Sequence, residues 1–168
     1  MKKSSKGFSL IELLIVVAII LIIAAIAIPN LLRSRIAANQ ASAVGSLRTL
    51  NTAEITYATT YNTGYTTTLG DMGPPAAGNN PVATLAGLID SVLSGGAATA
   101  SSSTKSGYQF LYTAGATDPS GRVDTYNITA TPLTVGTTGT NYYYTDMSGV
   151  IRQNSTAVAA STDSPLAG

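Results

Sequence analysis

The sequence predicts an α+β protein. A long, kinked N-terminal helix, its first half fit to span a membrane and its second half amphipathic, packs on a small antiparallel sheet of three or four strands. Three observations carry this. From Leu13 to Ile28 every residue is Leu, Ile, Val or Ala. Beyond Pro29, apolar residues return at spacings of three and four, the signature of a half-buried helix. From Tyr108 onward, short segments alternate apolar and polar residues between turn signals.

Composition narrows the function before any motif is read. The 168 residues fit one ordinary domain. Charged residues make up 10% of the chain, against about a quarter in a typical soluble domain. The net charge of +1 is too small to argue for direct contact with nucleic acid. Its distribution is more telling. Three of the nine basic residues, Lys2, Lys3 and Lys6, precede the apolar run, leaving six against eight acidic residues. The chain has no histidine and no cysteine. Histidine-based catalysis, histidine-ligated metal, thiol chemistry and disulfides are therefore excluded. The expectation is a non-enzyme without a cofactor.

The first element is the span. Phe8 to Ile28 is 21 residues with Ser9 and Glu12 as its polar members. As a helix it covers about 31 Å, close to the hydrocarbon thickness of a bilayer. It is apolar all round, whereas a helix on a soluble core shows a polar face. Residues 8–29 are read as the membrane-spanning helix. The leading lysines place the N-terminus in the cytoplasm, although Arg33 and Arg35 beyond the span reduce the asymmetry. A carboxylate inside a span costs about 2.5–3.5 kcal/mol at its centre. No lysine or arginine lies within the span to pair with Glu12. Cleavage between Gly7 and Phe8 would supply a cation, because it creates an α-amino group four residues before the acid.

Residues 30–61 continue the helix in amphipathic form. Leu32, Ile36, Val44, Leu47 and Leu50 make the apolar stripe, while Arg33, Arg35, Gln40, Arg48 and Asn51 are polar positions. Pro29 lacks an amide hydrogen and clashes one turn back, so a kink is expected there. Glu54 has no evident partner and reads as a solvated helix residue.

The head is assigned to residues 62–153. Residues 62–80 read as a loop rich in Gly, Thr, Pro and Asn. A short helix is expected over 81–94, capped by Asn80, opened by Pro81 and ended by Gly95-Gly96. Val82, Leu85, Leu88, Ile89 and Val92 would form its apolar stripe. AATASSSTKSG reads as a flexible connector. The strands expected are Tyr108–Thr113, Val123–Thr131, Asn141–Thr145 and Val150–Gln153, with turns at DPSG and DMSG. Tyr108, Phe110 and Tyr112 should share one face, as should Tyr126, Ile128 and Ala130. Residues 154–168, rich in Ser, Thr and Ala, read as a flexible C-terminal tail.

The other chemistry-bearing residues have plainer readings. Asp118, Asp124 and Asp146 are the acidic candidates for a cation, but Arg122 interrupts the first pair and EF-hand spacing is absent. Turn formation is the preferred role and no metal site is assigned. The nine tyrosines suit half-buried strand positions. Asn127-Ile128-Thr129 and Asn154-Ser155-Thr156 match the glycosylation sequon and are read as coincidence.

The string KGFSLIELLIVVAII, from Lys6 to Ile20, closely resembles the cleavage and methylation motif of type IV prepilins and type II secretion pseudopilins. The resemblance implies a leader of residues 1–7, cut after Gly7 by a prepilin peptidase that also N-methylates Phe8. It implies that the Phe8 amine of one subunit pairs with Glu12 of its neighbour in a helical filament, and that Pro29 kinks the helix. The segment SGYQF…YNITATP…YYYTDMSGVIRQN is similar to pilin heads. Many relatives carry a glycine in the span, whereas residues 8–44 here contain none. The function implied is a structural subunit of a type IV pilus serving adhesion, motility or DNA uptake. Its implied partners are copies of itself and an inner-membrane assembly platform. It would be a single-pass inner-membrane protein before assembly and part of an extracellular pilus afterwards. Two alternatives stand beside this: a pseudopilin of a type II secretion system, and a monomeric membrane-anchored binding domain.

Overall fold

The structure is a computed structural model and describes residues 7–166. The chain divides into two compact units, residues 1–35 and 36–168. The expected leader, apart from Gly7, lies outside the described residues. Helix α1 spans Leu10–Tyr61, 52 residues, with Pro29 inside it. Pro29 cannot donate to the Ala25 carbonyl, yet helical backbone continues on both sides.

In the first unit the apolar side chains of α1 are almost all exposed. Among the described residues this is the one helix long and apolar enough to cross a membrane, and none of its apolar window is buried within the chain.

The second unit is built on the remainder of α1. Ala43, Val44, Leu47, Leu50, Ala53 and Tyr57 form its buried stripe, spaced to keep one face toward the core. On the opposite face Thr49, Thr52, Thr56, Thr59 and Thr60 each donate a hydroxyl to the carbonyl four residues back. Asn51, expected at a polar position, is buried. Its Nδ2 donates to Thr145 Oγ1 at 2.9 Å and its Oδ1 accepts from the Tyr126 hydroxyl at 3.1 Å.

The sheet has five strands in the order β1-β2-β3-β4-β5, all antiparallel neighbours. They are β1 Ser102–Lys105, β2 Tyr108–Ala114, β3 Tyr126–Pro132, β4 Tyr142–Asp146 and β5 Arg152–Asn154. Register sets Phe110 opposite Ala130, and Tyr112 opposite Ile128. Tyr108, Phe110 and Tyr112 share the buried face, as do Tyr126, Ile128 and Ala130, as period-two alternation requires.

The strand missed by the sequence reading is β1, which occupies part of the expected connector. It joins β2 through Ser106-Gly107, both at positive φ (50° and 74°). That is the backbone of a two-residue hairpin turn whose twist matches the strands.

The helix expected over 81–94 is absent. The amides of Ala86, Gly87, Leu88 and Ile89 donate to the carbonyls of Asp71, Gly73 and Met72. Their hydrogen bonds thus go to a neighbouring segment rather than one turn back, and Gly87 sits at φ 68°. Val82 and Val92 of the expected stripe are exposed.

The loop 62–80 holds a 3₁₀ turn, Leu69–Met72, capped reciprocally by Thr68 and Asp71, and all four of its residues are buried.

The C-terminal segment is not a free tail. Leu166 N donates to Ile151 O at 2.8 Å and Gln153 N to Ser164 O at 3.1 Å. Arg152 Nη1 donates to Asp163 O, and Asn154 Nδ2 to Asp163 Oδ1. Ala159 is buried. A Ser/Thr/Ala composition conceals these polar anchors.

Candidate functional site

The N-terminal motif begins in non-helical backbone. Gly7, Phe8 and Ser9 precede the first helical residue, and Phe8 is 84% exposed. A Cβ placed on Gly7 would meet nothing within 4 Å, and its φ lies outside the left-handed region. Among the described residues, neither packing nor backbone strain asks for glycine at this position.

Ser9 then starts the helix. Its Oγ accepts the Ile11 N–H at 3.3 Å, and its carbonyl accepts from Leu13 N at 3.3 Å. Glu12 reaches back, Oε2 accepting the Ser9 N–H at 2.9 Å. Together the two bonds cap the helix start in the manner of a capping box, with the Ser9 hydroxyl taking the Ile11 amide rather than that of Glu12, and they satisfy amides that have no partner inside the helix. One Glu12 oxygen thus has a hydrogen-bond donor within the chain, a use the sequence analysis did not assign to it. The signal was present in the spacing Ser9-Leu10-Ile11-Glu12, the S-x-x-E form of that box. Among the described residues Glu12 makes no ion pair. A negative charge in the first turn also complements the positive end of the helix dipole.

Of the three aspartates considered for a cation, Asp118 and Asp146 close turns and Asp124 forms an ion pair. Asp118 Oδ1 accepts from Ser120 N, Ser120 Oγ and Arg122 N. Those bonds hold its carboxyl below the ordinary range. Asp124 pairs with Arg122 at 2.7 Å, and Asp146 accepts from Ser148 N at 2.9 Å. No group of three potential metal ligands occurs among the described residues. Asn154 of the second sequon is engaged as a cap, accepting from Thr156 and Ala157.

Glu54 is the residue the sequence reading placed wrongly. It is fully buried, with Oε2 accepting from Thr66 N at 3.1 Å and Oε1 lying 2.6 Å from Thr66 Oγ1. Burial pushes its carboxyl above the ordinary range; the Thr66 bonds oppose that and nearby Asp71 adds to it.

Residues 2–28 match the family described as the prokaryotic N-terminal methylation motif, so the chain carries that motif at its N-terminus. Two curated proteins are similar to the chain. A type IV major pilin protein PilA of Myxococcus xanthus is 52% identical over 50 residues, covering 30% of this chain and 23% of its own length. A type IV wide pilus major component PilA4 of Thermus thermophilus is 65% identical over 37 residues, covering 22% of this chain and 28% of its own length. The chain thus spans only about a quarter of these relatives. No solved structure matches it. One long N-terminal apolar helix followed by an antiparallel sheet is consistent with the type IV pilin fold.

Proposed function

We propose that the chain is a structural, non-catalytic subunit of a type IV pilus. The observation that carries this is the exposed, non-helical Gly7–Phe8 junction set before a helix whose apolar side chains find no cover in their own chain. Prepilin peptidase cuts that bond, and the same enzyme N-methylates the new Phe8 amine. The helix waits in the inner membrane with its N-terminus cytoplasmic, and an assembly platform there transfers it into a filament.

The capping geometry supports a division of labour in Glu12. Oε2 holds the Ser9 amide of its own chain. Oε1 is left to receive the ammonium of Phe8 from an adjoining copy. Charge-assisted bonds of this kind are roughly twice as strong as neutral ones. Outside the membrane, keeping each apolar side chain of the helix in a bundle core rather than in water is worth about 1.5–3 kcal/mol, which holds the filament together there. Pro29 gives the helix a point at which it can bend.

The names of both relatives favour the pilus over a secretion pseudopilus. Mass spectrometry of native assemblies tests the proposal. The expected mature chain begins at N-methyl-Phe8; assembled material that retains Met1–Gly7 would refute it.

A further inference from the structure

Glu54 takes part in a closed set of buried contacts whose hydrogens can be counted. Glu54 Oε1 lies 2.6 Å from Thr66 Oγ1. Thr66 Oγ1 lies 3.0 Å from the Tyr112 hydroxyl oxygen. That oxygen lies 2.8 Å from the Thr66 carbonyl oxygen. Glu54, Thr66 and Tyr112 are each essentially without exposure. Three oxygen–oxygen contacts need three hydrogens. Thr66 and Tyr112 supply one each, and a carbonyl supplies none. The third hydrogen has to sit on Glu54. The circuit then runs in one direction: the acid donates to Thr66 Oγ1, Thr66 donates to Tyr112, and Tyr112 donates to the Thr66 carbonyl. An ionised Glu54 leaves two oxygens facing each other with no hydrogen between them.

The surroundings favour the same state. The ionisable groups that face Glu54 are Tyr57 on its own helix, Asp71 on the following segment, and Tyr112 and Tyr126 on the sheet. All four are acids. The ion pairs found among the described residues, Lys105 with Asp90 and Arg122 with Asp124, do not include it. Burial also pushes the Tyr112 hydroxyl well above its ordinary range, so that proton stays in place.

Thr66 is the tether of the segment that leaves α1. Its amide donates to Glu54 Oε2, and the adjoining Tyr65 amide donates to Val123 O. We propose that Glu54 holds the segment around Thr66 against the sheet as a neutral acid, so that its ionisation is a built-in, pH-sensitive release of that segment. The inference concerns the second unit alone and does not depend on filament assembly.

The direction follows from linkage. A carboxyl more basic in the folded state than in the open state stabilises the closed form fully below its open-state pKa, about 4.3 for glutamate. That stabilisation is lost as pH rises through the folded-state pKa. Over that window the equilibrium for opening the segment should rise about tenfold per pH unit.

The test is amide hydrogen exchange on the full chain in detergent micelles, read at Thr66 as a protection factor across acid to mildly alkaline pH. Protection in the wild type should fall with rising pH, while Glu54→Gln, which keeps the shape and carries no titratable proton, should show a flat profile. A second variant guards against a fold lost in the first. Tyr112→Phe removes one contact and frees the Thr66 hydrogen to meet a carboxylate, which stabilises the ionised closed form, so the fall in protection should level off at lower pH and be smaller than in the wild type. Infrared spectra of the wild type should carry a carboxylic C=O stretch that persists above about pH 4.3, where a solvated glutamate ionises, and that Glu54→Gln removes. A flat wild-type profile, an unchanged slope in Glu54→Gln, an undiminished fall in Tyr112→Phe, or no protonated-acid band above that pH would each overturn the proposal.

Discussion

Glu12 and Glu54 occupy one helix and owe their roles to opposite surroundings. Glu12 is exposed within its chain, and its oxygen caps an amide. Glu54 is sealed, and three hydroxyl and carbonyl contacts decide its proton. For Glu12 the two proposed roles separate on substitution. Glu12→Gln keeps an oxygen for the Ser9 amide and removes the charge. The variant should insert and stay helical by circular dichroism, yet be excluded from filaments when co-expressed with the wild type. Equal incorporation would remove the ion-pair role. Glu12 was legible as special because a lone carboxylate stood in an apolar run. Its bond to the Ser9 amide was equally legible in the S-x-x-E spacing. Glu54 was not legible at all. Its burial depends on Thr66 and Tyr112, 12 and 58 positions further along the chain, and periodicity on one helix does not reveal what a later strand will cover. Asn51 belongs with it: Tyr126→Phe would leave buried Asn51 Oδ1 without that donor. A loss of about 1–3 kcal/mol is expected, measured by chemical unfolding of the full chain in detergent.

At the scale of elements, long periodic segments were readable and short ones were not. The end of α1 at Tyr61 and the shared faces of β2 and β3 follow from patterns of apolar residues that tertiary contacts reinforce. The segment 81–94 carried helix spacing too. There, however, the backbone amides of residues 86–89 bond the carbonyls of residues 71–73, and the three- and four-residue spacing of apolar residues is coincidence. The hairpin between β1 and β2 rests on a dipeptide, Ser106-Gly107, inside a run that composition makes look unstructured. Gly107 has a strict requirement. It sits at φ 74°, and an added Cβ would come within 2.8 Å of Thr138 Cβ and 3.1 Å of Asn39 Nδ2. Gly107→Val should therefore destabilise the second unit by about 2 kcal/mol or more, through left-handed strain of about 1–2 kcal/mol plus the clash. Thermal unfolding followed by near-ultraviolet circular dichroism would register it; an unchanged transition would show that the hairpin relaxes freely.

At the scale of the whole molecule, each unit meets a different solvent problem. The first leaves its apolar side chains uncovered, and the second closes a core between helix and sheet. The closure includes the last segment, which low-complexity composition hid from view. Asp163 anchors it, accepting from Asn154 Nδ2 at 3.0 Å and from Ala160 N at 2.7 Å. Asp163→Ala should speed limited proteolysis within residues 155–166 several-fold and leave cleavage elsewhere unchanged; equal rates throughout would show the anchor to be idle. The same returning segment has a further effect. Strand rims with vacant amides and carbonyls invite pairing with any similar rim that comes near, and crowding identical heads side by side multiplies such encounters. Here the β5 rim is already taken by its own chain, with Arg152 bridged to Pro165. A proline facing outward has no N–H to offer a newcomer. On that flank, many copies can stand shoulder to shoulder without zipping together into one continuous aggregate.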